Sequence, residues 1–287
     1  MSGFFIGGAA GSSRPGGAPA AGEVVAGYPV SWIKAGTVPE AAGVDYLFAK
    51  DTGTPGAWAP GTPGVAGRTC DGTTAADAGC LPVRTPPSGS AYLLRYEQGG
   101  SLGHRAYLVD KLWVNSGLVV TTTTAQTVGS VAFPARDLFG GTAGVGVRLG
   151  IYVSAATTNA SAVTTITASY TSSDGVPGRT ATIASFPATC VAGSIVYFRL
   201  QAGDEGVRSV ESVTLGTTLG GGTIHLVALV ELVATPAIAA FIGDSAPAAL
   251  GSLGVRLYPG ACLSPACVPS AATALTVYGS IFVQEVT

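Results

Sequence analysis

Charge is what this sequence has least of. Lys, Arg, Asp and Glu make up 10% of 287 residues, against roughly 25% in an ordinary soluble protein. The 14 basic residues are scattered singly, and the net charge is −2. Binding to a phosphate backbone needs clustered Lys and Arg, so no nucleic-acid partner is expected. Histidine is nearly missing: His104 and His225 are the two present, which leaves little material for a nucleophile–histidine apparatus. A long hydrophobic run is missing too. The most apolar stretch, 223–242, carries His225 and Glu231 and is broken by Pro236, so it falls short of the ~20 apolar residues of a membrane helix. A charge near the bilayer centre would cost roughly 2.5–3.5 kcal/mol. Met1-Ser2-Gly3-Phe4-Phe5 has no basic region ahead of its apolar residues, so no secretory signal is expected, and an outer-membrane barrel would need one. No window of a dozen residues shows a helical stripe.

What is there is apolar and small. Hydrophobic residues make up 47%, and the mean hydropathy is +0.45 with a pI of about 5.6. A free monomer with so few charges is poorly protected against self-association. With the membrane disfavoured, the remaining reading is a surface covered by copies of the chain and by partners.

Residues 1–89 differ from the rest. Ten of the 18 prolines fall there, from Pro15 to Pro87. Proline fixes φ and removes a backbone donor, so long ladders are not expected through 7–22 or 52–67. Such a composition suits a linker or tail, yet Tyr28, Trp32, Ile33, Tyr46, Leu47, Phe48 and Trp58 are spaced through it. Five of these, Tyr28, Trp32, Tyr46, Phe48 and Trp58, are candidate anchors for an extended arm that orders on assembly.

From residue 90 onward the pattern is β. In 144–154 the odd positions Val145, Val147, Leu149, Ile151 and Val153 share a face, with Arg148 and Tyr152 opposite. In 162–171 Ala162, Ile166, Ala168 and Tyr170 share a face and oppose Thr165, Thr167, Ser169 and Thr171. Period two predicts half-buried strands with threonines toward solvent. Further strands are predicted at 91–96, 105–114, 195–200, 207–215, 223–233, 254–258 and 274–286. The stretch 223–233 is apolar on both faces and so predicts a central strand. Gly-rich turns such as Ser173-Asp174-Gly175 and Gly220-Gly221-Gly222 punctuate them. The expected fold is all-β, a β-sandwich or jelly-roll-like domain over 90–287 with an extended Gly/Pro-rich arm over 1–89, and with 236–287 as a candidate C-terminal extension.

The five cysteines suggest two short loops. Cys70/Cys80 and Cys262/Cys267 are near neighbours in Gly/Pro-rich segments, and either pair could be a disulfide. Intervals of nine and four residues are loose for zinc, so no metal is expected.

Motifs for chemistry do not assemble. Gly99-Gly100-Ser101-Leu102-Gly103 fits G-x-S-x-G, but a strand follows it where the nucleophile elbow needs a helix, and a hairpin loop is the better reading. Gly243-Asp244-Ser245 lacks an available histidine. His225 and Glu231 share a strand face but stand about 20 Å apart at ~3.3 Å per residue, too far to act on one atom. Gly144-Val145-Gly146 has no helix after it to hold a phosphate. Asn159-Ala160-Ser161 reads as a loop. Asp204 and Glu205 read as solvated turn residues, with ion binding as the alternative. The sequence therefore predicts no enzyme, no catalytic residues and no cofactor.

Several stretches resemble a group of tailed-bacteriophage virion proteins of poorly assigned role. They are Leu112-Trp113-Val114-Asn115-Ser116-Gly117, Thr124-Ala125-Gln126-Thr127 and Val131-Ala132-Phe133-Pro134-Ala135-Arg136-Asp137. Gly178-Arg179-Thr180-Ala181, Gln201-Ala202-Gly203-Asp204, Gly206-Val207-Arg208-Ser209-Val210 and Gly222-Thr223-Ile224-His225-Leu226-Val227-Ala228 continue the match, and Leu257-Tyr258 with Ala261-Cys262-Leu263 ends it. The resemblance covers about 90–287. It implies a β-sandwich component of head, neck or tail present in many copies, and it carries over no catalytic residue.

Together these readings predict a virion structural protein assembled in the host cytoplasm, foremost a capsid decoration or cement protein. Its expected partners are the major capsid protein or other virion proteins and further copies of itself, as dimer or trimer, with no membrane. A tail, neck or baseplate component is the first alternative. A carbohydrate-binding adhesin using Tyr152, Tyr170 or Tyr278 is the second.

Overall fold

The computed structural model describes residues 24–36, 41–61, 67–115, 117–128, 132–238, 244–247 and 254–287. Among them the chain is all-β, with one 3-10 turn at Ala75–Asp77. The strands are β1 Val24–Ala35, β2 Asp45–Leu47, β3 Thr52–Thr54, β4 Arg68–Thr69, β5 Ser90–Gly100, β6 His104–Asn115, β7 Gln126–Thr127, β8 Val147–Ala155 and β9 Val163–Ser172. They continue as β10 Arg179–Phe186, β11 Ser194–Tyr197, β12 Val207–Thr214, β13 Thr223–Ile238, β14 Asp244–Pro247, β15 Val255–Leu257, β16 Leu263–Pro269 and β17 Thr276–Val286.

One sheet closes on itself. Its order is β13-β8-β11-β2-β16-β6, and β6 pairs back with β13, so six antiparallel strands form a barrel with β4 added beside β6. As expected for a strand apolar on both faces, β13 is central, flanked by β8 and β6. A second sheet, β10-β9-β12-β7, packs on the β8–β13 wall. Ile151, Val153, Leu226 and Ala228 meet Ile166, Ala168, Ala181 and Val210 in one apolar core. A third sheet, β14-β5-β17-β1-β3, with β15 also on β5, covers the β6–β16 wall. There Trp32, Leu93, Tyr96 and Ile281 meet Ala106, Leu108 and Leu263. The barrel is thus sandwiched on two sides.

Three expectations change. The described part of 1–89 is no arm: β1 lies between β17 and β3, with eleven residue pairs against β17 running from Val24↔Val286 to Ala35↔Thr276, and β2 is a stave of the barrel. Pro29 fits because β1 has no partner beyond Thr54 on its outer side among the described residues, and a strand edge tolerates proline. The remainder of the expected arm, 1–23, 37–40 and 62–66, lies outside the described residues. Nor is 236–287 an extension, since β16 closes the barrel and β17 is central to the third sheet. Finally, the loop 101–103 is no hairpin: it carries the chain from β5 in one sheet to β6 in another.

Candidate functional site

The period-two reading placed Arg148 and Tyr152 opposite the apolar face of β8. They do point the other way, but into the barrel, where Tyr152 is fully buried. Every second residue of β8 and β13 therefore faces a closed interior, and that interior holds much of the chain's scarce charge.

At one mouth, Glu231 of β13 receives Arg105 at 3.0 Å and Arg148 at 2.8 Å from the two flanking strands. Beside them the Tyr107 hydroxyl donates to Asp45 at 2.7 Å, and the Arg148 guanidinium lies 3.6 Å from the centre of the Tyr197 ring. Deeper in, Ser154 Oγ and His225 Nε2 are 2.7 Å apart. Both belong to the interior face of adjacent strands, which the sequence reading did not bring together. Burial lowers the His225 pKa to about 4, so the ring is neutral at pH 7 and a poor general base. Its Nδ1 has no partner among the described residues, and a triad needs an acid there. The pair anchors β8 to β13.

The far end holds Lys111. A bulge in the β6–β13 ladder, between Ala228 and Leu229, puts Lys111 inside while Leu112 and Trp113 join the outer core. Its Nζ is buried without a hydrogen-bond partner among the described residues and lies 4.0 Å from the centre of the Trp58 ring. Burial lowers its pKa to about 8. Trp58 Nε1, Arg68 and the Asp71 N–H all donate to Asp77. Burial alone would raise the Asp77 pKa, but these donors together bring it below the usual value.

The cysteines pair differently from their spacing. Cys80 is bonded to Cys262, 182 residues away, with Cα atoms 5.3 Å apart. Cys70 and Cys267, the near neighbours, are not their partners. Leu81, in the loop before β5, forms an isolated bridge to Leu263 of β16, which brings the distant half-cystines together. Cys70 is a buried thiol whose pKa burial pushes up to about 12. Asp77, Cys80 and Cys262 place ligand atoms within 4.8 Å of one another. The two sulfurs bond each other, however, and both Asp77 oxygens already accept hydrogen bonds, so none of the three is open to a metal as they stand.

The anchor residues are all in place, but they anchor the chain to itself. Trp32 stacks on Tyr96 at 5.6 Å. Tyr46 and Phe48 pack edge to face at 5.1 Å, and Trp58 fills the barrel end. Tyr28 lies under the Arg84 guanidinium, and its hydroxyl accepts the Arg84 N–H.

The recurring polar motifs resolve into contacts with one another. Arg136 is buried against Asp110 at 3.0 Å and donates to the Cys70 and Lys111 carbonyls, while the Cys262 N–H donates to Asp110. Asp137 accepts from the N–H groups of Phe139, Gly141 and Gly144 and so shapes the loop after it. Asp204, expected as a solvated turn residue, has its side chain 1% exposed: it pairs with Arg179 and accepts from the Tyr170 hydroxyl. Val145 and Gly206 form a bridge so tight that a Cβ on Gly206 would strike the neighbouring Gly144 carbonyl. His104 is buried between Gln98 and the Leu102 carbonyl, and Ser101 bonds to the Thr276 N–H instead. Asn159 donates inward to the Ser161 and Pro187 carbonyls. For Gly243-Asp244-Ser245, Gly243 and the side chains of Asp244 and Ser245 lie outside what is described.

Large apolar side chains stand on the surface. Phe139 is 75% exposed on the loop that Asp137 shapes, next to Leu138. Ile33, Tyr278 and Phe282 are exposed on the outer face of β1 and β17. No family model matches the chain, and no curated protein does. Among solved structures, the infectious bursal disease virus VP2 subviral particle is 10% identical, covering 93% of this chain and 82% of that one at a TM-score of 0.20. Infectious bursal virus derived T=1 particles are 13% identical, covering 93% and 80% at 0.21. Infectious bursal disease virus Gx strain is 12% identical, covering 92% and 81% at 0.21. At these scores the chain paths do not superpose as one fold.

Proposed function

We propose that this chain is a non-enzymatic structural subunit of a virus particle, foremost a decoration or cement protein on the head of a tailed bacteriophage. The observation that carries the reading is where the charge has gone. A chain with 10% charged residues commits Arg136, Asp110, Lys111, Asp77 and Lys34 to its interior and leaves Phe139, Val119, Ile33 and Leu138 outside. A surface so depleted in charge and carrying aromatic residues suits protein contacts.

Phe139 is the candidate anchor toward a neighbouring virion protein. The Asp137 carboxylate fixes its loop, so little ordering is left to do on binding, and a buried aromatic in such a position dominates an interface. Tail, neck and baseplate positions would use the same surface. The adhesin reading is weakened, because Tyr152 and Tyr170 are buried and Tyr278 alone of the three rings is open to a sugar. The deciding experiment is a reconstruction of particles that contain the chain, with copies counted. Many copies spread over the head support the decoration reading, a single ring at one vertex supports the neck or tail, and no copies in purified particles overturns the proposal.

A further inference from the structure

Two of the exposed aromatic residues stand on one face of one strand. Tyr278 and Phe282 of β17 are 42% and 41% exposed, and their Cα atoms are ~13 Å apart at ~3.3 Å per residue. Each ring lies across a glycine of a neighbouring strand. Gly99 of β5 is paired with Tyr278, and a Cβ there would meet the Tyr278 Cε2, Cζ and hydroxyl at 2.8–3.0 Å. Gly27 of β1 stands diagonally from Phe282, and a Cβ there would come within 3.3 Å of the Phe282 Cε1 and Cζ. A ring laid over bare backbone turns its opposite side to solvent.

Between the two rings the surface is polar and held in place. Ser280, midway along the strand, donates from Oγ to Glu97 Oε2 at 2.9 Å, and the other Glu97 oxygen pairs with Arg95. Glu97 and Arg95 stand opposite Ser280 and Phe282 in the β5–β17 ladder. The ion pair is charged but balanced, and its side chains keep 58% and 36% of their surface in water. Phe282, Ser280, Arg95, Glu97 and Pro29 are among the residues that line a groove of about 530 Å³ here. That volume falls within the range of ~300–1,000 Å³ that holds a compact ligand.

This layout selects its ligand. A wholly apolar partner would cover the Arg95–Glu97 pair and give nothing back for the water it removes. A polyanion would need free cations, and Arg95 is already committed to Glu97. A sugar chain alternates as the surface does. Each ring has an apolar C–H side that packs on the negative face of an aromatic ring, and a rim of hydroxyls that can donate to Glu97 and accept from Arg95. We propose that the outer face of β5, β17 and β1 binds a linear, uncharged glycan. Tyr278 and Phe282 are its stacking platforms, and Arg95, Glu97 and Ser280 form the hydrogen-bonding centre between them. The inference is separate from the particle reading, because sugar binding by the isolated chain and copies counted on a particle are independent measurements.

The test uses the full-length chain. Titration calorimetry with cellohexaose, laminarihexaose, xylohexaose and chitohexaose should show saturable binding of at least one, unaffected by added salt because the ligand carries no charge. Phe282→Ser and Tyr278→Ser should each weaken it roughly tenfold, while Phe282→Trp should retain it. Phe139→Ser, which removes an exposed ring elsewhere, should leave it unchanged. Gly27→Ala is the sharper variant: it keeps every aromatic side chain but pushes the Phe282 ring off its seat, so it should weaken sugar binding where a merely greasy surface would not respond. Arg95→Ala changes a mostly exposed side chain and reads the polar centre independently of the rings. Thermal unfolding that matches the parent shows that a variant still folds. Failure of all four hexasaccharides to bind would overturn the proposal. So would binding that survives both Phe282→Ser and Tyr278→Ser, or binding of heparin and of none of the uncharged sugars.

Discussion

The two faces of β8 and β13 are built on opposite terms. Outward, toward β9, β10 and β12, they present Ile151, Val153, Leu226 and Ala228 to other aliphatic side chains, and none of the buried charged residues lies on β9, β10 or β12. Inward, the same strands present Ser154 and His225 to a barrel that also holds Lys111 and Asp77, with Arg148 and Glu231 partly exposed at its mouth. The outer interface gains stability from apolar area removed from water. The barrel meets a desolvation cost for each ion and recovers it only through specific partners. One wall thus separates a core in which volume matters from a core in which pairing matters.

The largest expected effect is at Arg136, whose partner Asp110 stands on the outer face of β6, back to back with Lys111. Replacing it with Met leaves Asp110 buried against the Cys262 N–H with its cation gone. Burial already raises the Asp110 pKa, and Arg136 is the main opposing influence. Losing one partner of a buried pair costs about 3–5 kcal/mol, so Arg136→Met should lower the denaturant midpoint by that much. Arg136→Met with Asp110→Leu should recover a large part of it. A double variant no more stable than the single would show that the stranded Asp110 charge is not the source of the loss.

On the apolar side of the β8–β13 wall, Ile166→Ala should cost about 2–5 kcal/mol by opening a cavity. The loss should be the same at pH 6 and pH 9.5, because no titrating group faces that side chain in the apolar core. A loss that varies with pH between those values would mean the two cores are coupled through the wall.

Much of this division was readable in the sequence, and its failures have physical causes. Alternation in 144–154 and 223–233 gave the correct faces and the central position of β13, because side-chain period follows from strand geometry alone. It could not say that the second face of β8 lines a barrel, since closure depends on β6 meeting β13 across more than a hundred residues. β16 was missed because Pro265 and Pro269 argue against a ladder, yet both sit within it. The same proline bias hides β1 and β2, although their aromatic residues mark them as ordered. In 162–171 the expected inward position was Ala162. The structure buries Val163 instead, because Thr165 takes a positive φ of 61° and resets the alternation before Ile166. The cysteine pairing and the Ser154–His225 contact were out of reach, because both join strands that only the barrel brings together. Among the singled-out motifs, Arg136, Asp137, Arg179 and Asp204 proved to be each other's structural partners or those of neighbouring loops.

Lys111 gives a smaller effect of the opposite sign. Its folded pKa is about 8 against an ordinary 10.5, so between those values the unfolded chain binds more protons than the folded one. The contribution of Lys111 to stability should therefore rise as pH climbs from about 8 to 10.5, and below pH 8 the full cost of the buried ammonium is present. Lys111→Met keeps the shape and removes the ion. It should raise stability at pH 7 by about 1–3 kcal/mol and remove this contribution to the pH 8–10.5 slope, leaving that of buried Lys34. Destabilisation by Lys111→Met would show that the contact with Trp58 outweighs the desolvation cost.

The smallest effect belongs to the outer sheet. Thr165 is β-branched and sits at φ 61°, where a Cβ crowds the backbone by roughly 1–2 kcal/mol. Its side chain is exposed, so removing it opens no cavity. Thr165→Gly relieves the strain but gives the unfolded chain more freedom to lose, about 0.5–1 kcal/mol. The net gain should be under about 1 kcal/mol, seen as a higher denaturant midpoint with an unchanged slope. The same substitution at Thr167, two residues along and past the reset, has no strain to relieve and should lose stability. If both glycine variants lost stability alike, the reset would have to be held by its flanking contacts, Val163 with Phe186 and Ile166 with Ile183, at no conformational cost to Thr165 itself.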